Sequence, residues 1–161
     1  DYAKIHPFSY GEVHAHFRGG ENLCTGWLGE FQAGLAICYD LRFPEQFRVM
    51  VPETEIFIVA ANWPESRVSH WKALLAARAI ENQCYVAGVN CCGDMDGRYY
   101  SGDSGLYAPD GSLLVPQKEI HLVDAVCREE KLLVYDIQND VKKIRDAFPV
   151  WKDYKPIEHL K

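Results

Sequence analysis

The chain has 161 residues, of which 48% are hydrophobic and 25% charged, and its formal net charge is −6. These values are typical of one globular domain with a sizeable core, and the negative charge argues against nucleic acid or an anionic membrane surface as the main partner. The sequence contains no run of the roughly eighteen apolar residues that a membrane-spanning helix requires.

The first half of the chain alternates predicted strands and helices. The apolar run Phe31–Cys38 is typical of a buried strand. Pro44 suits the first turn of a helix, which we expect to continue over Glu45–Met50. The β-branched run Ile56–Ala61 predicts the next strand, and apolar residues three and four positions apart predict a long helix over Ser66–Gln83.

The second half is predicted to be a run of strands followed by a short helix. The expected strands are Cys84–Asn90, Ser104–Ala108, Ser112–Pro116, Glu119–Cys127 and Lys131–Ile137. The Gly- and Asp-bearing segment Gly93–Gly102 predicts a connection without regular structure, and Pro109–Gly111 predicts a hairpin turn. A short helix is expected over Asp140–Asp146, with Lys142–Arg145 on its solvated face. Strand–helix alternation followed by strands predicts an α/β fold, with one domain over residues 1–161.

The six cysteines do not suggest a metal site or a disulfide framework. They stand at positions 24, 38, 84, 91, 92 and 127, without a Cys-x-x-Cys pair. The pair His14 and His16 has no third ligand at a convincing spacing. We therefore expect no metal, and we expect reduced thiols and a cytoplasmic location.

Cys38 stands where a predicted strand ends and a Pro-initiated helix follows. Open α/β sheets bind their ligands at the carboxyl ends of strands. A backbone N–H there, such as that of Tyr39, is the kind of donor that stabilises an oxyanion in acyl transfer. A helix N-terminus and a cationic side chain nearby would favour the reactive thiolate. From position alone, a buried core cysteine is the favoured interpretation.

The motif around Cys38 resembles a known family. The run Ile37–Glu45, ICYDLRFPE, is similar to the nucleophile motif of the nitrilase, or carbon–nitrogen hydrolase, superfamily. Three later segments resemble the same family in the same order: Asn62–Val86, Tyr100–Gly111 and Arg145–Pro149. The resemblance implies a four-layer α-β-β-α sandwich, incomplete at its N-terminus, of which this chain is the C-terminal portion. It also implies a homodimer or a larger homo-oligomer.

The resemblance also implies roles for individual residues. The family carries a Glu–Lys–Cys triad, and its lysine motif Lys-x-His-x-Phe is similar to Lys4–Phe8 here. Cys38 is then the nucleophile, and Lys4 stabilises the thiolate and the oxyanion together with the Tyr39 N–H. Glu12 matches a second glutamate that many members have near the site, although a surface loop carboxylate is the alternative. Further expected substrate-binding residues are Phe8, Asn62 and Trp63, and for Trp63 a core aromatic role is equally possible.

One triad member has no counterpart in the sequence. The family's general base is a glutamate in a strand well before the lysine motif, and this sequence begins three residues before Lys4. Together with the missing initiator Met, this leads us to expect part of a longer protein, holding the thiol and the lysine without the base. Glu12 matches a different position and does not fill that role.

The implied reaction is thiol-dependent hydrolysis of a small linear amide, the omega-amide of a dicarboxylic or oxo acid, through a Cys38 thioester without a metal or organic cofactor. Arg42, Arg67 and Arg98 are candidates to bind a substrate carboxylate, and Arg42 could equally pair with Asp40 or Glu45. The alternatives are a nitrile or N-carbamoyl hydrolase of the same superfamily, and an inactive truncated fragment or interaction module.

Overall fold

The computed structural model describes residues 1–9, 17–122 and 130–155. Its helices are α1 Pro44–Met50, α2 Val68–Asn82 and α3 Val141–Ala147, and three 3₁₀ turns cover Cys38–Arg42, Glu65–Arg67 and Val150–Asp153. Its strands are β1 Thr25–Leu28, β2 Phe31–Ile37, β3 Ile56–Ala61, β4 Tyr85–Asn90, β5 Cys92–Met95, β6 Arg98–Ser101, β7 Gly105–Tyr107, β8 Lys118–His121 and β9 Lys131–Val134. The predicted α/β class is confirmed.

The main sheet has five strands in the order β1-β2-β3-β4-β7. Its centre, β2-β3-β4, is parallel, and the two edge strands run antiparallel to it. In the register, Ile37 lies beside Ala60, and Ala61 lies beside Asn90. The three central strands therefore end at one edge of the sheet, which is where ligands of open α/β sheets bind.

Helices α1 and α2 connect the parallel strands and pack beside each other against the sheet. Phe47 of α1 and Trp71 and Leu75 of α2 are completely buried, as is Phe57 of β3. Burial of each such side chain contributes roughly 1.5–3 kcal/mol. A Cβ at Gly88 would lie 2.5 Å from the Leu75 Cδ1, so glycine is what allows α2 to pack this closely on β4.

The end of α2 is joined to the C-terminal helix by buried polar contacts. Arg145 of α3 is 8% exposed and donates to the carbonyl oxygens of Val51 (3.0 Å), Thr54 (2.7 Å) and Asn82 (2.9 Å). Burial lowers the pKa of its guanidinium. The expectation that Lys142–Arg145 is a solvated face is therefore wrong for Arg145, because its side chain is needed to satisfy these carbonyls.

The segment predicted as an irregular connection, Gly93–Gly102, is instead mostly a hairpin. Strands β5 and β6 pair antiparallel, and Asp96 and Gly97 between them have φ angles of 50° and 72°. Two consecutive positive φ values are those of a tight hairpin turn, for which Asp-Gly is a preferred pair. That dipeptide was the available sequence signal.

Other strand predictions differ from the structure at specific places. Ser112–Pro116 contributes one isolated bridge, between Leu113 and Tyr107, rather than a strand. The edge strand β1 was not predicted, because its sequence does not alternate between apolar and polar residues. In the structure all of its residues, including Trp27, are exposed. The strand expected over Glu119–Cys127 is observed as β8, and residues 123–127 lie outside the described ranges.

Within the described ranges, no helix is long and apolar enough to span a membrane. The described cysteines are all free thiols. In the same ranges, no three side chains of His, Cys, Asp or Glu come together in a way that could hold a metal ion. His14 and His16 lie outside the described residues.

Candidate active site

Cys38 begins the 3₁₀ turn that directly follows β2, at the carboxyl edge of the parallel strands. Its φ angle is 50°, a left-handed conformation that is uncommon for a residue with a side chain and that clusters at functional sites. The half-buried thiol Sγ lies 3.9 Å from the Asn62 carbonyl oxygen. The N–H of Tyr39, second in the turn, has no acceptor within the turn itself. The turn thus presents a thiol beside a backbone donor.

A different cysteine shows what an inert thiol looks like in this fold. Cys84 is completely buried, and this burial raises the pKa of its thiol to about 12. A thiol in that environment stays protonated at neutral pH and is unreactive. Cys38 is partly exposed, whereas Cys84 is not.

The buried carboxylate of Asp40 fixes the N-terminal segment to this turn. Asp40 is 0% exposed and accepts hydrogen bonds from the Ile37 N–H (3.0 Å) and the Tyr2 hydroxyl (2.7 Å). It also accepts from the His6 backbone N–H and contacts the His6 Nδ1, both at 2.9 Å. The His6 ring stacks on Phe43 at 3.8 Å between centroids. Residues on both sides of Lys4 are therefore held against the turn that carries Cys38.

Lys4 and Phe8 both lie beside Tyr39. The Lys4 Nζ is 5.8 Å from the centre of the Tyr39 ring, and the Phe8 ring meets the same ring edge-on at 5.0 Å. The structure thus places the predicted residues Lys4 and Phe8 beside Tyr39, the residue that follows Cys38 in the chain. Glu12 lies in residues 10–16, outside the described residues, and its role stays a prediction.

Trp63, the residue after Asn62, is fixed by Asn90. The Asn90 side chain accepts from the Trp63 backbone N–H (2.7 Å) and donates to the carbonyl oxygens of Trp63 (3.0 Å) and Gly102 (2.7 Å). The Trp63 ring is 4% exposed and lies 5.5 Å from the Trp71 ring. This burial fits the core aromatic role, and a substrate contact by Trp63 stays a prediction. Asn62, by contrast, is exposed beside the thiol.

Arg42 does not pair with Asp40 or Glu45, the two partners considered from the sequence. Its guanidinium lies 4.9 Å from the centre of the Trp63 ring, and one of its nitrogens is 3.2 Å from the His70 Nδ1. Asp40 is unavailable because its oxygens already accept from other groups.

Sequence reasoning missed two residues that organise the site, Asp40 and Asn90. Both are buried polar side chains that bridge separate elements. Asp40 stands inside the nucleophile motif, so an acidic residue next to a buried strand was an available signal. Asn90 gave only a weak signal, as a polar residue closing an otherwise apolar strand.

Comparisons with known proteins agree with this geometry. A family model for carbon–nitrogen hydrolases matches residues 1–146. The omega-amidase YafV of Escherichia coli K12 is 36% identical over 94% of this chain and 57% of its own length. The 2-oxoglutaramate amidase of Bacillus subtilis 168 is 33% identical over 96% of this chain and 57% of its own length. The chain thus spans somewhat more than half the length of these curated relatives.

The match extends to a solved structure. The crystal structure of XC1258 from Xanthomonas campestris, a CN-hydrolase superfamily protein with an arsenic adduct in its active site, aligns with a TM-score of 0.80. The two sequences are 31% identical, and the alignment covers 95% of this chain and 58% of that protein. This agreement confirms the nitrilase-type fold that the sequence motifs implied.

Proposed function

Because the chain belongs to the carbon–nitrogen hydrolase family, we propose that its protein hydrolyses the terminal amide of a small linear omega-amide to a carboxylic acid and ammonia. One observation carries this proposal. Cys38 stands in a left-handed conformation at the carboxyl edge of the sheet, with the Lys4 segment held beside it by Asp40. The activities named for YafV and for the B. subtilis protein support the choice of omega-amides as substrates.

In the proposed reaction, the Cys38 thiolate attacks the carbonyl carbon of the amide. A carbon–sulfur bond forms, and the carbonyl oxygen takes up the negative charge of a tetrahedral intermediate. The carbon–nitrogen bond then breaks, and ammonia leaves with an added proton. Water hydrolyses the resulting thioester, which releases the acid and restores the thiol.

The charges near Cys38 suit these steps. The Tyr39 N–H and the Lys4 ammonium supply positive potential where the oxyanion develops. Such a cation also favours the thiolate over the thiol. The family resemblance assigns the proton transfers to a glutamate upstream of the lysine motif, and it gives Glu12 the task of orienting Lys4 or the substrate.

Ammonia release from a panel of substrates tests the proposal in the full-length natural protein. The panel contains omega-amides of dicarboxylic and oxo acids, aliphatic nitriles and N-carbamoyl compounds. We expect turnover of the omega-amides, loss of turnover in Cys38→Ala, and retention of it in Cys24→Ser, which changes another partly exposed thiol. Preferred turnover of nitriles or N-carbamoyl compounds would show that omega-amides are the wrong substrate class, while attack by the Cys38 thiol would still stand.

Thiol labelling separates an active site from a catalytically inactive module. We expect iodoacetamide to modify Cys38 faster than the other cysteines, with Cys84 the slowest because it is buried. Peptide mass spectrometry over a time course measures each rate. Equal and slow labelling of all cysteines, together with no turnover of any substrate, would support the interaction-module alternative.

Location and assembly are further proposals. The free thiols of the described cysteines support a reducing compartment, so we place the protein in the cytoplasm. The family resemblance supports a homodimer or a larger homo-oligomer that binds a small-molecule amide as its substrate. Light scattering during size-exclusion chromatography of the full-length protein would measure the assembly.

A further inference from the structure

A surface depression of about 340 Å³ lies beside the 3₁₀ turn that begins three residues after Asn62, whose carbonyl oxygen contacts the Cys38 Sγ. It is formed by the 3₁₀ turn that follows β3 and by the start of β6, and its lining residues are Pro64, Glu65, Ser66, Arg67, Arg98 and Tyr99. Two of the three arginines that the sequence offered as carboxylate ligands therefore face a common cavity, although Arg67 and Arg98 are far apart in the chain.

The depression has an excess of positive charge. Neither Arg67 nor Arg98 forms an ion pair with any residue in the described ranges, and Glu65 is the only carboxylate in the lining. Lys72 of α2, by contrast, pairs with Asp103 at 2.5 Å. Two guanidinium groups that have no carboxylate partner among the described residues suit a carboxylate ligand, which accepts hydrogen bonds from the guanidinium fork.

Two sets of contacts connect Arg67 to the thiol. The Arg67 guanidinium lies 5.9 Å from the centre of the Phe8 ring, and Phe8 packs on Tyr39, the neighbour of Cys38. The Arg67 carbonyl oxygen also accepts a hydrogen bond of 2.8 Å from the indole of Trp63. The short segment from Asn62, whose carbonyl oxygen contacts the Cys38 Sγ, to Arg67 therefore links the thiol to the guanidinium.

We propose that Arg67, assisted by Arg98, binds the free carboxylate of the omega-amide while its amide carbon lies at Cys38. This inference rests on the proposed function and adds to it the residues that select acidic substrates. Arg42 is the less suitable candidate, because one of its nitrogens already contacts the His70 Nδ1 at 3.2 Å and it is not among the residues that line the depression.

Kinetics on two amides of equal chain length test the assignment. Glutaramate carries a carboxylate opposite its amide, and pentanamide carries a methyl group there. For Arg67→Ala, we expect the ratio of kcat/KM for glutaramate to that for pentanamide to fall about ten- to a hundredfold, the loss of one or two charge-assisted hydrogen bonds. We expect the change mainly in KM. The ratio in Arg67→Lys should lie between those of the wild type and Arg67→Ala. Lys142→Ala, which removes an exposed cation on α3, should keep the ratio of the wild type.

Glutarate binding by calorimetry is measured separately, because it requires no turnover. Glutarate binding that Arg67→Ala and Arg98→Ala both weaken supports the subsite even if no amide is hydrolysed, and in that case only the proposed function fails. If amides are hydrolysed but the glutaramate-to-pentanamide ratio is unchanged in Arg67→Ala and Arg98→Ala, the subsite is overturned and the proposed function stands. A lower ratio in Arg42→Ala, with the ratio unchanged in Arg67→Ala and Arg98→Ala, would also overturn the Arg67 subsite, because it would assign carboxylate binding to Arg42.

Discussion

The ring Nδ1 of His6 lies 2.9 Å from the Oδ1 of the buried Asp40, although the two residues are 34 positions apart in the chain. The His6 backbone N–H donates to the same oxygen. With the carboxylate as the acceptor, the ring carries its hydrogen on Nδ1. The backbone around Lys4 is therefore held by the tertiary contacts of His6, two residues further along the chain.

Replacing Asp40 by Asn should weaken both the fold and the site. An amide retains one acceptor oxygen but turns its NH₂ group toward donors that the carboxylate now satisfies. Because a buried charged group with several donors is lost, we expect the free energy of unfolding to fall by about 2–4 kcal/mol. Urea denaturation measures this fall. The exposed Asp94→Asn on β5 is the matched control and should change it by less than about 0.5 kcal/mol.

A further outcome of Asp40→Asn concerns reactivity. If Asp40 holds the Lys4 segment against the turn that carries Cys38, iodoacetamide should modify Cys38 more slowly in the variant under conditions where it remains folded. Unchanged labelling in a folded but destabilised variant would show that Asp40 acts on stability only.

Tyr2 makes the stability depend on alkaline pH. Burial, and then its hydrogen bond to Asp40 and the charge of that carboxylate, raise the pKa of the Tyr2 phenol above its ordinary value of 10.0. The folded protein thus holds this proton more tightly than the unfolded chain does. Its contribution to stability is present below pH 10 and is lost as the pH rises through the folded-state pKa.

Tyr2→Phe tests this pH dependence. The variant should be less stable at neutral pH, by roughly 1–2 kcal/mol for the lost hydrogen bond, and the difference from the wild type should shrink above pH 10. Urea midpoints from pH 7 to pH 11 measure both. Tyr99→Phe on the exposed strand β6 serves as a comparison, and a Tyr2→Phe deficit that grows with pH would contradict the assignment.

Asn90→Ala should release Trp63 from its fixed position next to Asn62, whose carbonyl oxygen contacts the Cys38 Sγ. The substitution removes three hydrogen bonds in a buried site, so we expect a loss of about 2–4 kcal/mol in the free energy of unfolding. Since Asn62 precedes Trp63, we also expect a lower kcat for amide hydrolysis. Asn139→Ala, which removes hydrogen bonds near the opposite end of the sheet, is a control for stability loss without a change in kcat. Equal kcat effects in the two variants would refute a local role for Asn90.

The central strands and helices were predictable from the sequence because their signals are local. Ile56–Ala61 is observed with the predicted bounds, and the helix after Pro44 ends at Met50 as expected. Apolar runs and a proline in the first turn act within a few residues, so neighbouring sequence determines them.

The contacts that organise the site were not predictable in the same way. Asp40 meets Tyr2 and His6 only after the sheet has formed, and no spacing in the sequence records that contact. The placement of Arg67 and Arg98 in the same depression likewise depends on the β5–β6 hairpin, which was not expected. Motifs identified the candidate nucleophile and lysine, and tertiary structure supplied the residues that hold them.

Arg145 provides a test of stability far from the proposed chemistry. Its guanidinium donates to three carbonyl oxygens that end α1 and α2 or follow them, an arrangement that the single ammonium of lysine reproduces poorly. Arg145→Lys should therefore lower the free energy of unfolding by about 2–4 kcal/mol through unsatisfied buried carbonyls. The neighbouring exposed Lys143→Arg is the reverse exchange on the same helix, and we expect it to change the free energy by less than about 0.5 kcal/mol. Urea denaturation compares the two variants, while Cys38 labelling in each folded protein reports on the site. A stable Arg145→Lys variant would mean that these carbonyls are satisfied without the guanidinium fork.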